Sequence, residues 1–200
     1  MTRDLTYTKG TAVHPRVAQT RSKVLRSTAE LLVERGFAYT SIEAIAAASG
    51  VAKSTIYRHW RTREELCIDA YRSVVQPQET PNTGNTRTDL IKHLTGLAEG
   101  LSNGSWAEIL PSLIDAAQRD PQIATFQREL TIHRRIPIQT VLQLGQQRGD
   151  LPADLDLDYV IDLLTAPLFY RRFIYHVDYD GVLAEQIVDD VLAGLAQRPD

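Results

Sequence analysis

Apolar positions along this chain recur every three to four residues and almost nowhere every second residue, which is the period of helices rather than strands. β-branched runs are scarce while Leu, Ala, Glu, Gln and Arg abound, so the pattern predicts an all-α protein of about nine helices. The first runs from about Arg16 to Arg35, with Val24, Leu25, Ala29 and Leu32 facing inward and Gly36 as its stop; Phe37 should pack under the following helices. Ser41 to Trp60 then reads as two short helices joined by a tight turn. Thr40, with Glu43 three residues on, has the spacing of a capping box. Ile42, Ile45 and Ala46 share one face, and Gly50 closes the helix because it takes a left-handed conformation without a Cβ clash. The next helix spans Lys53 to Trp60, with Ile56 and Trp60 inward and Lys53, Ser54, Thr55, Tyr57, Arg58 and His59 outward or sideways.

Thr62 is a plausible N-cap for a fourth helix, with Glu64 and Glu65 in its first turn, running through Leu66, Ala70 and Tyr71 to about Val75. Residues 76–85 are turn-rich and carry no stripe, which predicts a flexible boundary between two functional parts. Helices are expected over about 86–102, 105–118, 121–147, 156–176 and 181–196, with Pro111, Pro137 and Pro167 kinking or breaking theirs. Residues 1–14, with Arg3, Lys9 and Gly10, read as a mobile arm. Leu157, Val160, Ile161, Leu164 and Leu168 form one late stripe; Ile187, Val188, Val191, Leu192 and Leu195 form another. Periodicity alone leaves open whether both are spent inside one subunit or build a four-helix interface with a second copy.

A hydrophobic content of 43% over 200 residues suffices for one or two modest cores. The formal charge of −3 hides an asymmetry: residues 1–76 hold 12 Lys/Arg against 7 Asp/Glu, and residues 77–200 hold 10 against 18. Only the first part is suited to a polyanion. A single cysteine, Cys67, rules out an intramolecular disulfide. With no apolar run of membrane-spanning length and no apolar leader, a cytoplasmic protein is expected, with no membrane partner. His14, His59, His93, His133 and His176 are scattered without metal-ligand spacing, and no phosphate loop, nucleophile elbow or telling carboxylate pair occurs. The reading is a non-enzyme without metal or cofactor.

The segment Arg21 to Tyr71 resembles the DNA-binding domain of the TetR/AcrR family of transcriptional regulators. The resemblance rests on Ala29, Gly36-Phe37, Thr40-Ser41-Ile42, Ile45-Ala46, Ala48, Ser49-Gly50-Val51, Ser54-Thr55-Ile56-Tyr57, His59-Trp60 and Arg63-Glu64-Glu65-Leu66. Trp60 stands where the family mostly has Phe, and Arg63 where it mostly has Lys; both keep the character required. The resemblance implies a helix-turn-helix DNA-binding domain over 16–76, its motif at 41–60, and a C-terminal helical ligand-binding and dimerisation domain over 86–197. It also implies a homodimer formed through the two late stripes.

A short helix whose free face carries cations and hydroxyls fits a DNA major groove. Lys53, Ser54, Thr55 and Arg58 are candidates for base edges, Arg58 above all, because its guanidinium can engage both acceptors of a guanine. Tyr57, His59 and Arg63 match family positions that hold phosphates, and the helix start at Thr40 and Ser41 could take another. The expected function is a dimeric repressor on a palindromic operator in double-stranded DNA, released by a small-molecule effector. An effector-independent regulator or activator, or a helical small-molecule-binding protein that no longer reads DNA, stay as alternatives. Candidate effector-lining residues are Trp106, Phe126, His133, Phe169, Tyr170 and Phe173.

Overall fold

The computed structural model describes residues 15–179 and 182–196, and they contain helices and no strand. The expected arm over 1–14 lies outside the described residues. The helices are α1 (Pro15–Tyr39), α2 (Ile42–Ser49), α3 (Lys53–His59), α4 (Arg63–Val74), α5 (Thr86–Asn103), α6 (Ser105–Ala117), α7 (Pro121–Arg148), α8 (Leu157–Tyr170) and α9 (Leu183–Ala196), with a π-turn at Arg171–Tyr175 after α8. Short polar side chains start them where the stripes begin. Asn85, Asp120 and Asp156 accept from amides of the first turns of α5, α7 and α8, and Thr62 accepts from Glu65.

The chain divides into two compact units, Met1–Ala70 and Tyr71–Asp200, and the division falls inside α4 rather than in the turn-rich stretch 76–85. That stretch is also pinned to α5. Gln78 donates to the His93 carbonyl (2.6 Å), and the Thr83 amide and hydroxyl both donate to the Asp89 carboxylate (2.8 and 2.7 Å).

In the first unit α1, α2, α3 and the start of α4 close over Val24, Leu31, Ile42, Ile45, Ile56, Trp60 and Leu66. Gly36, at φ 74° and ψ 176°, breaks the path of α1, and Phe37–Tyr39 resume it as a short turn. This break shifts the expected cap by one residue. The Thr40 hydroxyl donates to the Gly36 carbonyl (2.8 Å), so Ser41 becomes the N-cap of α2 and accepts from the Ala44 amide (3.1 Å). Gly50 ends α2 at φ 63° and ψ 20°. Cys67 is fully buried, and burial pushes its thiol up to about 12, which makes it an inert filler.

In the second unit α5 packs against α6, α7, α8 and α9. Arg87 ties its start to Asp189 (2.6 Å) and Glu185 of α9. The three internal prolines do not end their helices: α6, α7 and α8 continue through Pro111, Pro137 and Pro167. Buried neighbours (Ile109 and Leu113, Ile138 and Val141, Leu164 and Leu168) hold each helix across the missing amide.

The late stripes are largely covered within the one chain. Val160, Ile161, Leu164, Leu168, Ile187, Val188 and Leu195 are all buried within the one chain, and Leu157, Val191 and Leu192 are partly so. They face the core of the second unit, because α8 packs against α5, α7 and α9, and α9 against α5. The face of α8 left to solvent carries Tyr159, Leu163 and Tyr170.

Two consequences for stability can be measured. Gly50→Ala would meet open space apart from the Lys23 amine at 3.6 Å, so its cost is the left-handed backbone, about 1–2 kcal/mol in urea unfolding, with Gly50→Asn costing less. His93 is 2% exposed, and burial first, then the Arg134 charge, bring its imidazole down to about 4. Below about 6.5 the unfolded chain takes a proton that the folded chain refuses. Stability should therefore fall as pH drops from about 6.5 to about 4 and level off below, by up to roughly 3 kcal/mol. His93→Gln should remove that slope from the difference between the two proteins.

Candidate functional site

Seven residues make too short a helix to stand alone, so α3 exists because its inner face is anchored. Ile56 and Trp60 are 0% and 3% exposed. The indole N–H of Trp60 donates to Asp69 Oδ2 (3.0 Å), and the same oxygen receives the Arg21 guanidinium (2.7 Å). Arg21 also lies 5.5 Å from the Trp60 ring centre, and the His59 ring centre is 5.5 Å from that of Trp60. The end of α3 is thus fixed to α1 and α4.

Fixing that face leaves the other one presented. Lys53, Ser54, Tyr57, Arg58 and His59 are exposed and Thr55 is half-buried. Among the described residues Arg58 has no ion-pair partner, so its fork of donors is available. Lys53 is engaged with Glu43 of α2 at 2.5 Å, and that bond holds the Glu43 carboxyl below its ordinary value. The pair is solvated on both sides, so a phosphate or base edge competes with Glu43 on nearly equal terms.

Two residues expected to touch DNA are occupied elsewhere. Thr40 is fully buried and its hydroxyl is spent on Gly36. Arg63 donates to the Thr40 carbonyl (3.3 Å), to the Phe37 carbonyl and to the Glu64 carboxylate (2.9 Å). The break at Gly36 turns those carbonyls toward α4, and the guanidinium satisfies them, so in this structure Arg63 clamps the α1–α2 turn. Ser41 is half-buried with its hydroxyl used as the cap.

The second unit holds a cavity of about 130 Å³, lined by Tyr71, Gln78, His93, Leu97, Leu110, Arg134, Ile138, Ile161 and Phe169 among others. Of the six aromatic and histidine candidates, Phe169 lines it. Trp106 is buried beneath the Arg134 guanidinium, 3.5 Å from its ring centre, and Phe126 packs edge-on against Tyr71 at 6.0 Å. Tyr170 points to solvent, and Phe173 rests on Phe169 at 6.1 Å. His133 lines an adjoining open cleft of about 360 Å³, its Nδ1 2.8 Å from the Glu129 carbonyl. Tyr71, His93 and Arg134 are lining residues that the aromatic pattern does not reveal. His93 carries a readable signal: it interrupts the apolar stripe Leu90, Leu94, Leu97, Leu101 of α5 with a polar group. Among the described residues no group of His, Cys, Asp and Glu is placed to hold a metal, and no helix is long and apolar enough to cross a membrane.

Comparison with known proteins agrees with this architecture. Residues 24–70 match the bacterial regulatory proteins of the tetR family, and residues 80–191 match the tetracyclin repressor-like C-terminal domain. The chain is 30% identical over 183 residues to the uncharacterized HTH-type transcriptional regulator YdeS of Bacillus subtilis, covering 90% of this chain and 92% of that one. It is 29% identical to the DNA-binding transcriptional repressor TetR of Mycobacteroides abscessus, covering 87% and 93%. The crystal structure of the TetR family transcription regulator SCO0332 is similar, with a TM-score of 0.67, 30% identity, and 88% and 98% of the two chains covered. With an anchored reading helix and matches over both parts of the chain, this protein belongs to the TetR family of DNA-binding transcriptional regulators and is not an enzyme.

Proposed function

We propose that the protein is a dimeric repressor that reads a palindromic operator in double-stranded DNA with α3 and leaves it when a small molecule occupies the second unit. The observation that carries the reading is the exposed, cation- and hydroxyl-bearing face of α3 over a fully buried one. Lys53, Ser54, Thr55 and Arg58 are the base-reading candidates, and Tyr57, His59 and the amide end of α2 at Ser41 the phosphate contacts. Seven residues bury too little surface for tight binding alone, so two copies about one helical turn of DNA apart are required. The free apolar face of α8, Tyr159, Leu163 and Tyr170, supports pairing there, a surface distinct from the stripes spent on the core. The name of the Mycobacteroides abscessus relative favours repression over activation. A cytoplasmic setting follows from a DNA target. Release needs only that the effector bind one of two states better than the other.

Arg58→Ala should cost roughly 1–3 kcal/mol at the operator and relax preference at one base pair. Arg63→Ala should instead lower the unfolding midpoint of the protein and leave the salt dependence of binding almost unchanged. Anisotropy titrations across a salt series, beside denaturant curves, separate the two. An Arg58→Ala protein that lost as much on random DNA as on the operator would remove that residue from base reading. Leu163→Glu should convert a dimer to a monomer in sedimentation velocity and weaken operator binding by at least tenfold. A dimer that survived the charge would move the interface off α8.

A further inference from the structure

Three polar groups converge on the cavity of the second unit: two buried atoms without the hydrogen bonds that buried polar groups ordinarily have, and a cation that no carboxylate meets. The Tyr71 phenol is 0% exposed and lies beside the Arg134 guanidinium, the polar group that acts on it, yet its oxygen makes no hydrogen bond of ordinary geometry. His93 is 2% exposed, and its Nδ1 is likewise unpartnered. Arg134 is half-buried, and burial pulls its guanidinium below the usual value, with the Tyr71 phenol as the only group opposing it. Its flat face lies 3.5 Å from the Trp106 ring centre, which orients the cation without neutralising it. The next residue shows the contrast. Arg135 is neutralised by Asp162 at 2.8 Å and Asp158 at 3.3 Å, whereas no carboxylate among the described residues pairs with Arg134.

The charge count selects the ligand. Burial holds His93 neutral near pH 7 and keeps the Tyr71 proton in place, and Arg135, which also lines the cavity, has its charge met by Asp162 and Asp158, so the lining offers one uncompensated positive charge and two further polar contacts. One negative charge balances that; a phosphate dianion would be left in excess. A carboxylate has two oxygens with about four acceptor sites, enough for the guanidinium fork and the phenol together. The remaining wall is mostly apolar, with Leu97, Leu110, Leu130, Ile138, Ile161 and Phe169, and the uncharged polar side chains of Gln78, Gln127, Thr131 and Thr165 lie among them. Its volume, about 130 Å³, is close to that of the engineered cavity of about 150 Å³ that takes benzene, which fits a body of one ring or a short branched chain. Gln78 and Arg134 line both this cavity and the open cleft beside it, which gives such a ligand a way in.

We infer that the effector is a small apolar monocarboxylate, its carboxylate held by Arg134 and Tyr71 beside His93 and its body lying among Leu97, Ile138, Ile161 and Phe169. The assignment rests on the reading of the second unit as the effector-binding part. Calorimetric titration and thermal shift of the full chain with benzoate, phenylacetate, cyclohexanecarboxylate and hexanoate test it, against benzamide, phenylacetamide and benzylamine, with acetate at matched ionic strength as the bulk-anion control. At least one acid should bind saturably and tenfold or more tighter than its amide. Arg134→Gln removes a half-buried cation that no carboxylate meets, at the cost of its contact with the Trp106 ring, and should lose at least tenfold for the acid and little for the amide. Tyr71→Phe, which deletes one hydroxyl, should lose several-fold and serves if the first variant does not fold. No binding by any acid, equal binding of acid and amide, or unchanged acid affinity in the folded variants overturns the inference. Operator release is read separately by anisotropy. Arg134-dependent acid binding without release keeps the ligand assignment and refutes release by that ligand, and release by a neutral compound that displaces no acid does the reverse.

Discussion

Everything the first unit does depends on one carboxylate oxygen. Asp69 Oδ2 receives both the Trp60 indole and the Arg21 guanidinium, and so ties the end of α3 to α4 and α1 at once. A helix of two turns has no stability of its own to spare. Ile56 and Trp60 hold it by burial, and Asp69 fixes the rotation about that anchor. The outward set from Lys53 to His59 is a consequence of this fixing, because in a helix the choice of the buried pair determines which residues are left facing out.

Much of this is legible in the sequence. Helix starts are readable where a short polar residue precedes a stripe, as at Asn85, Asp120 and Asp156, because capping is a local interaction between neighbours in sequence. Gly50 is readable because its conformation belongs to one residue alone. Thr40 misleads for the same reason turned round: its hydroxyl has a second acceptor, the Gly36 carbonyl, which comes within reach only once the chain has turned at Gly36. The role of Arg63 is hidden likewise, since its partners lie 26 and 23 residues back along the chain.

The late stripes show where periodicity stops being informative. It says that a face is apolar, but not which neighbour covers it. For α8 the neighbours are α5, α7 and α9, and for α9 they are α5 and α8, while the solvent-facing set of α8 mixes Tyr159 and Leu163 with Asp162, too uneven to register as a stripe. The cavity is least legible of all. Tyr71, His93 and Arg134 come from α4, α5 and α7, so only the fold brings them together.

The contact between Lys53 and Glu43 has an implication for search along a genome. Glu43 occupies the lysine as a phosphate would, and under the proposed DNA contact of Lys53 that carboxylate is displaced first. Contacts of poor fit return little for that exchange, whereas a site that also engages Arg58 does. Under that proposal a resident carboxylate beside Lys53 acts as a tethered decoy, trimming adhesion to arbitrary sequence more than adhesion to the operator.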